Sequence, residues 1–131
     1  MHSVFDAVKS EASLVPETRT ADANGDAIDT QGYNSAKLVV SAGVIDRDDG
    51  DEGYSVRVEE SDASDAGFTS VDGLVAVITA SNQVKNVRIE GLGTSRKRYL
   101  RAVLDAGGTT PSIACSAVFE LGHAFSEPVQ S

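Results

Sequence analysis

The sequence has few of the residues that most often carry chemistry or crosslink a chain. It contains one cysteine, two histidines and no tryptophan in 131 residues. A single cysteine cannot form an intramolecular disulfide. Nucleophilic catalysis needs a base beside the nucleophile, and His2 and His123 are the only imidazoles. No spacing distinguishes a pair of acid and base carboxylates, so we expect no enzyme activity and no cofactor.

Long apolar runs are also missing. No stretch approaches the roughly 20 apolar residues that a membrane-spanning helix needs. The first 16 residues lack the apolar run of a secretion signal. Together with the single cysteine, this favours synthesis in a reducing cytosol. We therefore expect a protein that is made in the cytoplasm and stays in solution.

Positive charge is scarce. The chain has 11 basic and 20 acidic residues, which give a net charge of −9. This charge repels nucleic acid phosphates and anionic membrane surfaces, so both are disfavoured as partners.

A chain of 131 residues is long enough for one domain whose core needs no metal or disulfide.

Alternating apolar and polar residues are the strongest positive signal. Alternation places every second side chain on one face, as a half-buried β-strand requires. It occurs in residues 54–59, 86–91, 98–104 and 112–121, and segments rich in Gly, Asp, Ser and Thr separate these stretches. Residues 35–44 have the same alternation and predict a central strand.

Weaker patterns predict the remaining strands. Residues 18–23 and 27–29 flank Asn24-Gly25, a dipeptide that suits a type I′ hairpin. Residues 68–71 and 74–79 each predict a strand, although the second lacks alternation and is compatible with complete burial. About eight short strands result. The predicted fold is all-β, a jelly-roll-like antiparallel β-sandwich.

The N-terminal segment differs in character from the rest. Val4, Val8 and Ala12 recur at intervals of four, which is compatible with a short helix or with a loosely ordered arm. Pro16 marks a boundary, so we predict an arm over 1–16 and one sandwich domain over 17–131. The apolar arm residues have no evident place in the core and are candidate contacts with a partner: Val4, Phe5, Val8 and Leu14.

The acidic loop 46–52 suggests two interpretations. Its aspartates offer the hard oxygen ligands that calcium prefers, but Gly50 and Asp51 stand in the wrong register for an EF-hand. The other interpretation is a solvated tip that joins two adjacent strands. Cys115 is expected to be a small buried core residue, because Ile113 and Ala117 share its strand face. His2 falls in the arm and His123 at a strand end.

Arg96, Lys97 and Arg98 form the one basic cluster. Two hypotheses fit it equally well: a contact for an acidic partner surface, or a charged edge that discourages strand pairing. Arg101 is predicted to stack on Tyr99 or to pair with an acid on a neighbouring strand.

Several segments together resemble a known family. They are NGDAIDTQGY at 24–33, SAKLVVSAGV at 35–44, YSVRVEESDASDAGFTSV at 54–71 and KRYLRAVLDAGG at 97–108. Across residues 21–121 the chain resembles small structural proteins encoded among the head genes of tailed bacteriophages, which include capsid decoration (cement) proteins. None of the shared elements carries chemistry.

The resemblance implies a non-enzymatic virion protein with a jelly-roll or similar fold. Such proteins bind the outer surface of the major capsid protein lattice, often as homotrimers, and stabilise the capsid. The resemblance also implies a place on the capsid exterior after synthesis in the host cytoplasm. It transfers no linear set of contact residues, so Arg96, Lys97, Arg98 and the apolar arm residues stay candidates from this sequence. Two alternatives stay open: a lectin-like glycan- or receptor-binding module, and another virion part such as a tail or connector protein.

Overall fold

The structure is a computed structural model that describes residues 8–124, with side chains for residues 8–122. These residues form β-strands and turns and contain no helix. The nine strands are β1 (Val8–Arg19), β2 (Ala23–Asn24), β3 (Ile28–Asp29), β4 (Tyr33–Ile45), β5 (Gly53–Ser61), β6 (Thr69–Ile78), β7 (Gln83–Ile89), β8 (Tyr99–Gly107) and β9 (Ile113–Ala124). None of the described residues forms a helix of the length and apolarity that crossing a bilayer requires.

The strands form two antiparallel sheets that pack face to face. The four-stranded sheet has the order β1-β9-β4-β7, and the five-stranded sheet has the order β2-β8-β5-β6, with β3 also paired to β8. If β2 and β3 count as one interrupted strand, every connection along the chain passes from one sheet to the other except the one from β5 to β6, which are neighbours in the five-stranded sheet, and this is the arrangement of a jelly roll. The predicted fold class is therefore confirmed.

The alternation in the sequence becomes the alternation between core and surface. In the four-stranded sheet, Leu38 lies opposite Phe119 and Val40 opposite Ala117, and all four side chains are fully buried. Cys115 lies on the same inner face and is buried, as the sequence predicted. Burial raises the pKa of its thiol, so a smaller fraction is present as the reactive thiolate.

The predicted arm is wrong for the residues that the structure describes. Residues 8–16 belong to β1, which pairs with β9, and Leu14 is a core residue with 2% exposure. Two register shifts interrupt the pairing, between Ala12 and Leu14 and between Leu14 and Glu17. These irregularities hide the period of two from the sequence, and Pro16 lies at one of them, in an edge strand, where proline is tolerated. Val4 and Phe5 lie outside the described residues.

The predicted hairpin at Asn24-Gly25 is also wrong. β2 and β3 do not pair with each other, since both pair with β8. Gly25 has a different task, which is close approach: its N–H donates to the Ala102 carbonyl at 2.7 Å, and a Cβ on Gly25 would lie 2.7 Å from that same oxygen. Only glycine fits between the strands here.

Ser13 connects the two sheets at this point. It lies in the first irregular part of β1, and its side chain is 3% exposed. Its hydroxyl donates to the Asp26 carbonyl at 2.7 Å and accepts from the Ala102 N–H at 2.9 Å. A side chain of the four-stranded sheet therefore satisfies one backbone group of β8 and one of the segment between β2 and β3.

Two further predictions about connections need correction. Loop 46–52 joins strands of different sheets, β4 and β5, rather than adjacent strands. Residues 69–78 form one strand, β6, with an irregularity after Ser70 that ends at Val75. Its second half alternates after all, because Ala76 and Ile78 are buried while Val75 and Val77 are about half exposed.

Replacing Ser13 by alanine tests the contact between the sheets. Ser13→Ala removes the acceptor of the buried Ala102 N–H, so we expect a loss of about 2 kcal/mol in the free energy of unfolding. Ser10→Ala, on the exposed part of the same strand, is the matched control and should change it by less than about 0.5 kcal/mol. Urea denaturation measures both. Equal stabilities of the two variants would contradict the bridging role.

Candidate protein-binding surfaces

The outer face of the four-stranded sheet has a broad area without charge. Val39 lies opposite Val118, and Ser41 lies opposite both Ser116 and Val84, so these side chains point to the same outer side. We call this area the uncharged face; its members are Ala12, Val39, Ser41, Val84, Asn86, Ala114, Ser116 and Val118. Charged residues make up 24% of the sequence, so eight neighbouring surface positions without one are unusual for this chain.

Charged residues border the uncharged face at one end. Lys37 and Glu120 lie opposite each other on β4 and β9, and their charged groups are 3.6 Å apart. Arg88 follows on β7, opposite Lys37. The face itself consists of small or β-branched side chains on regular strands. No large side chain stands out from it, and it offers valines and hydroxyl groups to a partner.

The outer face of the five-stranded sheet is highly charged by contrast. Glu59 is 7% exposed and accepts hydrogen bonds from Arg101 at 2.6 and 2.9 Å and from Arg57 at 3.0 Å. Arg57 also pairs with Asp105, so the network joins β5 to β8. Its charges are matched internally, which leaves this face less available to a charged partner.

Aromatic contacts complete this network. The Arg101 guanidinium lies 4.3 Å from the centroid of the Phe68 ring, which places the loop 62–68 over the network. The predicted pairing of Arg101 with an acid on a neighbouring strand is confirmed, while the alternative of stacking on Tyr99 is wrong. Arg98 is the residue that lies over the Tyr99 ring, at 5.0 Å.

The pKa of Glu59 results from two opposing effects. Burial alone raises the pKa of its carboxyl, because the charged form loses water. The hydrogen bonds from Arg101 and Arg57 act in the opposite direction and outweigh burial, so the pKa lies below its ordinary value of 4.5. Glu59 is therefore charged at neutral pH and holds two cations on this face.

The basic segment 96–98 has acidic partners within the chain. Arg98 forms two hydrogen bonds to Asp29, at 2.9 and 2.8 Å, and Arg96 lies 3.6 Å from Glu60. The hydrogen bond from Arg98 holds the pKa of the Asp29 carboxyl below its usual range. This pairing leaves less positive charge for an acidic partner than the sequence predicted.

A depression of about 400 Å³ adjoins the basic segment. Residues with polar side chains contribute to its lining, among them Thr30, Gln31, Tyr33, Asp62, Thr94 and Lys97. Thr30 fixes one wall, because its hydroxyl donates to the Arg98 carbonyl at 2.5 Å. The depression is open and has room for a small polar ligand.

The acidic loop 46–52 is attached to the loop 108–112. Asp51 accepts from the Thr109 N–H at 3.0 Å and from its hydroxyl at 2.7 Å, and these bonds lower the pKa of Asp51. The Thr110 hydroxyl donates to Asp49 at 3.2 Å. Within residues 8–122, no group of three or more His, Cys, Asp or Glu side chains is placed to hold a metal ion. The calcium interpretation therefore has no ligand set among these side chains, and the solvated tip is fastened to a neighbouring loop.

The structure does not bring the predicted contact residues together as one surface. Val8 begins β1 at an end of the sandwich, Leu14 is in the core, and Arg96 and Arg98 lie beside acids. The uncharged face is not among the surfaces predicted from the sequence. The signal for this face lies in the outward positions of the alternating patterns. Serine, alanine and valine stand there, where charged residues usually stand.

Comparisons with known proteins assign neither a family nor a function to this chain. No protein-family model matches the chain, and no curated protein matches it. Among solved structures, it is similar to a family two carbohydrate esterase from Cellvibrio japonicus, with 13% identity and a TM-score of 0.31. The match covers 92% of this chain and 35% of the esterase chain. At this TM-score the similarity supports no argument about fold or function.

The network around Glu59 predicts a pH-dependent stability. Since the folded pKa lies below 4.5, the contribution of Glu59 is present above that pH and is lost as the pH falls through the folded pKa. Glu59→Gln should lower the free energy of unfolding by roughly 2 kcal/mol at pH 7. The difference from wild type should shrink below about pH 4.5, because protonated glutamate resembles glutamine.

Urea denaturation between pH 7 and pH 3 measures this difference. Glu90→Gln is the matched control, since Glu90 and its partner Arg88 are 77% and 85% exposed. Its effect should be below about 0.5 kcal/mol at every pH. A gap for Glu59→Gln that stays constant down to pH 3 would show that the charge of Glu59 does not stabilise the fold.

Proposed function

We propose that this protein is a non-enzymatic virion structural protein that binds the outer surface of a tailed-phage capsid and stabilises it. The resemblance over residues 21–121 supports this function, and the jelly-roll fold is the fold that the resemblance implies. The observation that carries the proposal furthest is the uncharged face. It is the surface through which we expect the protein to attach to the capsid.

The charge distribution explains why attachment uses this face. The protein has a net charge of −9. Most of its surface therefore repels an acidic capsid surface, and on a basic capsid surface each of its carboxylates needs a cation opposite it. The uncharged face imposes neither condition. A sheet face with exposed valine, such as Val84 at 62% exposure, can pack on another protein surface of complementary shape and exclude water.

Attachment to a repeating lattice also suits modest contacts. A single face of small side chains buries little area per residue, so each copy binds with limited affinity. The capsid offers many identical sites, and one bound copy at each site reinforces the shell without any catalytic group. The proposed function therefore needs neither a deep pocket nor a cofactor.

A lysine placed in the uncharged face tests this proposal. Ser41 is exposed at its centre, so Ser41→Lys introduces a charge that attachment would bury without a partner. We expect at least tenfold weaker co-sedimentation with purified capsids that lack this protein. Ser64→Lys, the same substitution in the exposed loop 62–68, is the control and should bind as wild type does.

The outcomes of this experiment separate the alternatives. Wild-type protein that does not co-sediment with tailless capsids would overturn the capsid function, and binding to purified tails would then indicate a tail or connector role. Wild-type binding that Ser41→Lys leaves unchanged would refute the uncharged face as the contact. In that case the basic segment 96–98 is the next surface to mutate.

A second candidate function is recognition of a glycan in the depression beside segment 96–98. The observation in its favour is the combination of a half-buried Tyr33 with polar side chains such as Gln31 and Asp62, which suits a sugar ring and its hydroxyl groups. A glycan array tests it, and Asp62→Ala should abolish any signal that belongs to this depression. Binding of no glycan by the wild-type protein would exclude it.

A further inference from the structure

Each sheet ends in two edge strands, whose outer N–H and C=O groups can pair with another chain. Among residues 8–124, the edges are β1 and β7 in the four-stranded sheet, and β6 and the interrupted β2–β3 position in the five-stranded sheet. Native proteins protect such edges with charges, prolines, irregularities or short strands. The four edges of this sandwich differ in how far they carry these features.

Three of the edges are protected. β1 contains Pro16 and two register shifts. β7 carries Lys85 and Arg88. β2 and β3 have two residues each, too few to template a new strand. Each of these three edges thus has at least one of the features that prevent pairing with another chain.

The second half of β6 has none of them. Its irregularity ends before Val75, and from there to Ile78 it pairs in regular register with residues 54–57. Residues 74–84 contain no charged residue and no proline. Val75 and Val77 are 45% and 53% exposed on its outer side. A regular, apolar and uncharged edge of this kind is a template for strand addition.

We propose that β6 pairs antiparallel with β6 of a second copy of this chain, which joins the two five-stranded sheets into one continuous sheet. Outward side chains must lie opposite outward side chains, which the pairing achieves when it is centred on Ala76. In that register Val75 lies opposite the partner's Val77, and Val77 lies opposite the partner's Val75. Each dimer gains two cross-strand valine pairs, which are favourable in antiparallel sheets.

A second copy fits this edge better than an unrelated strand for two reasons. The edge is self-complementary, because a two-fold axis at Ala76 places identical exposed valines against each other. Two copies also bring a charge of −9 each, and an uncharged contact keeps their like charges apart. The pairing uses the β6 edge of both copies and closes with two chains, in contrast to the homotrimer that the family resemblance implies.

Sedimentation equilibrium over a concentration series tests the dimer. We expect the wild-type protein to reach twice its chain mass of 13.6 kDa. Val77→Lys puts a charge on the pairing edge and should weaken dimerisation at least tenfold. Val84→Lys is the matched control, because Val84 is 62% exposed on the edge strand of the other sheet, and it should dimerise as wild type does. Circular dichroism confirms that each variant is folded.

Two outcomes would overturn the proposal: a wild-type protein that stays monomeric throughout, or an oligomer that Val77→Lys leaves intact. The dimer does not depend on the capsid function, and the two valine variants separate them. Val84→Lys should weaken capsid binding and keep the dimer, because Val84 belongs to the uncharged face. Val77→Lys should lose the dimer while the uncharged face of each single copy stays unchanged.

Cysteine crosslinking tests the register independently of affinity. A mixture of Val75→Cys and Val77→Cys should form disulfide-linked dimers under diamide oxidation, because opposite residues are close enough for a disulfide. Each variant alone should crosslink at least tenfold less, because its two cysteines then lie diagonally. Cys115 is 5% exposed and should not contribute. Equal crosslinking in the mixture and in the single variants would refute pairing centred on Ala76.

Discussion

The two sheets hold together because their inner faces present unbroken rows of buried aliphatic side chains. The fully buried side chains include Leu38 and Val40 of β4 and Val56 and Val58 of β5. Their burial depends on the register in which β4 and β5 pair with the neighbouring strands. A shift of a single residue in any central strand would turn these side chains to the surface. Register in the central strands is therefore the constraint on which the fold, its surfaces and its edges depend.

The border between the sheets needs a different kind of interaction. At the β1 side the sandwich is closed by polar contacts through Ser13 and Gly25, where backbone groups of both sheets come within hydrogen-bond distance. Such groups lose water when the sheets meet, so each must find a partner inside the protein. The irregularities in β1 are what bring Ser13 to this point. β1 lacks a regular alternation in the sequence, and the same irregularity lets it supply the contact between the two sheets.

The outer faces of the two sheets divide the surface into unlike halves. The five-stranded sheet carries Glu59 between two arginines, and these charges satisfy one another. The four-stranded sheet carries serine, alanine and valine over most of its outer side. Under the proposed function, this division places the charges that keep the protein in solution and the surface that contacts the capsid on different sheets.

The sequence by itself determined the strand class, the inward side chains of the central strands and the burial of Cys115, because alternation with a period of two is a local property. It misplaced β1, where register shifts and Pro16 erase that period, and it assigned a local turn to Gly25. Only the tertiary structure decided which strands are neighbours. Loop 46–52 joins β4 to β5, which follow each other in the chain but lie in different sheets, and closeness in sequence does not reveal this. Pairing also decided the candidate surfaces: Ser41, Ser116 and Val84 are far apart in the chain and become one face through β4 alone. The acids beside Arg96 and Arg98 are 36 and 69 residues away in sequence, and charges matched over such distances become visible only when the chain is folded.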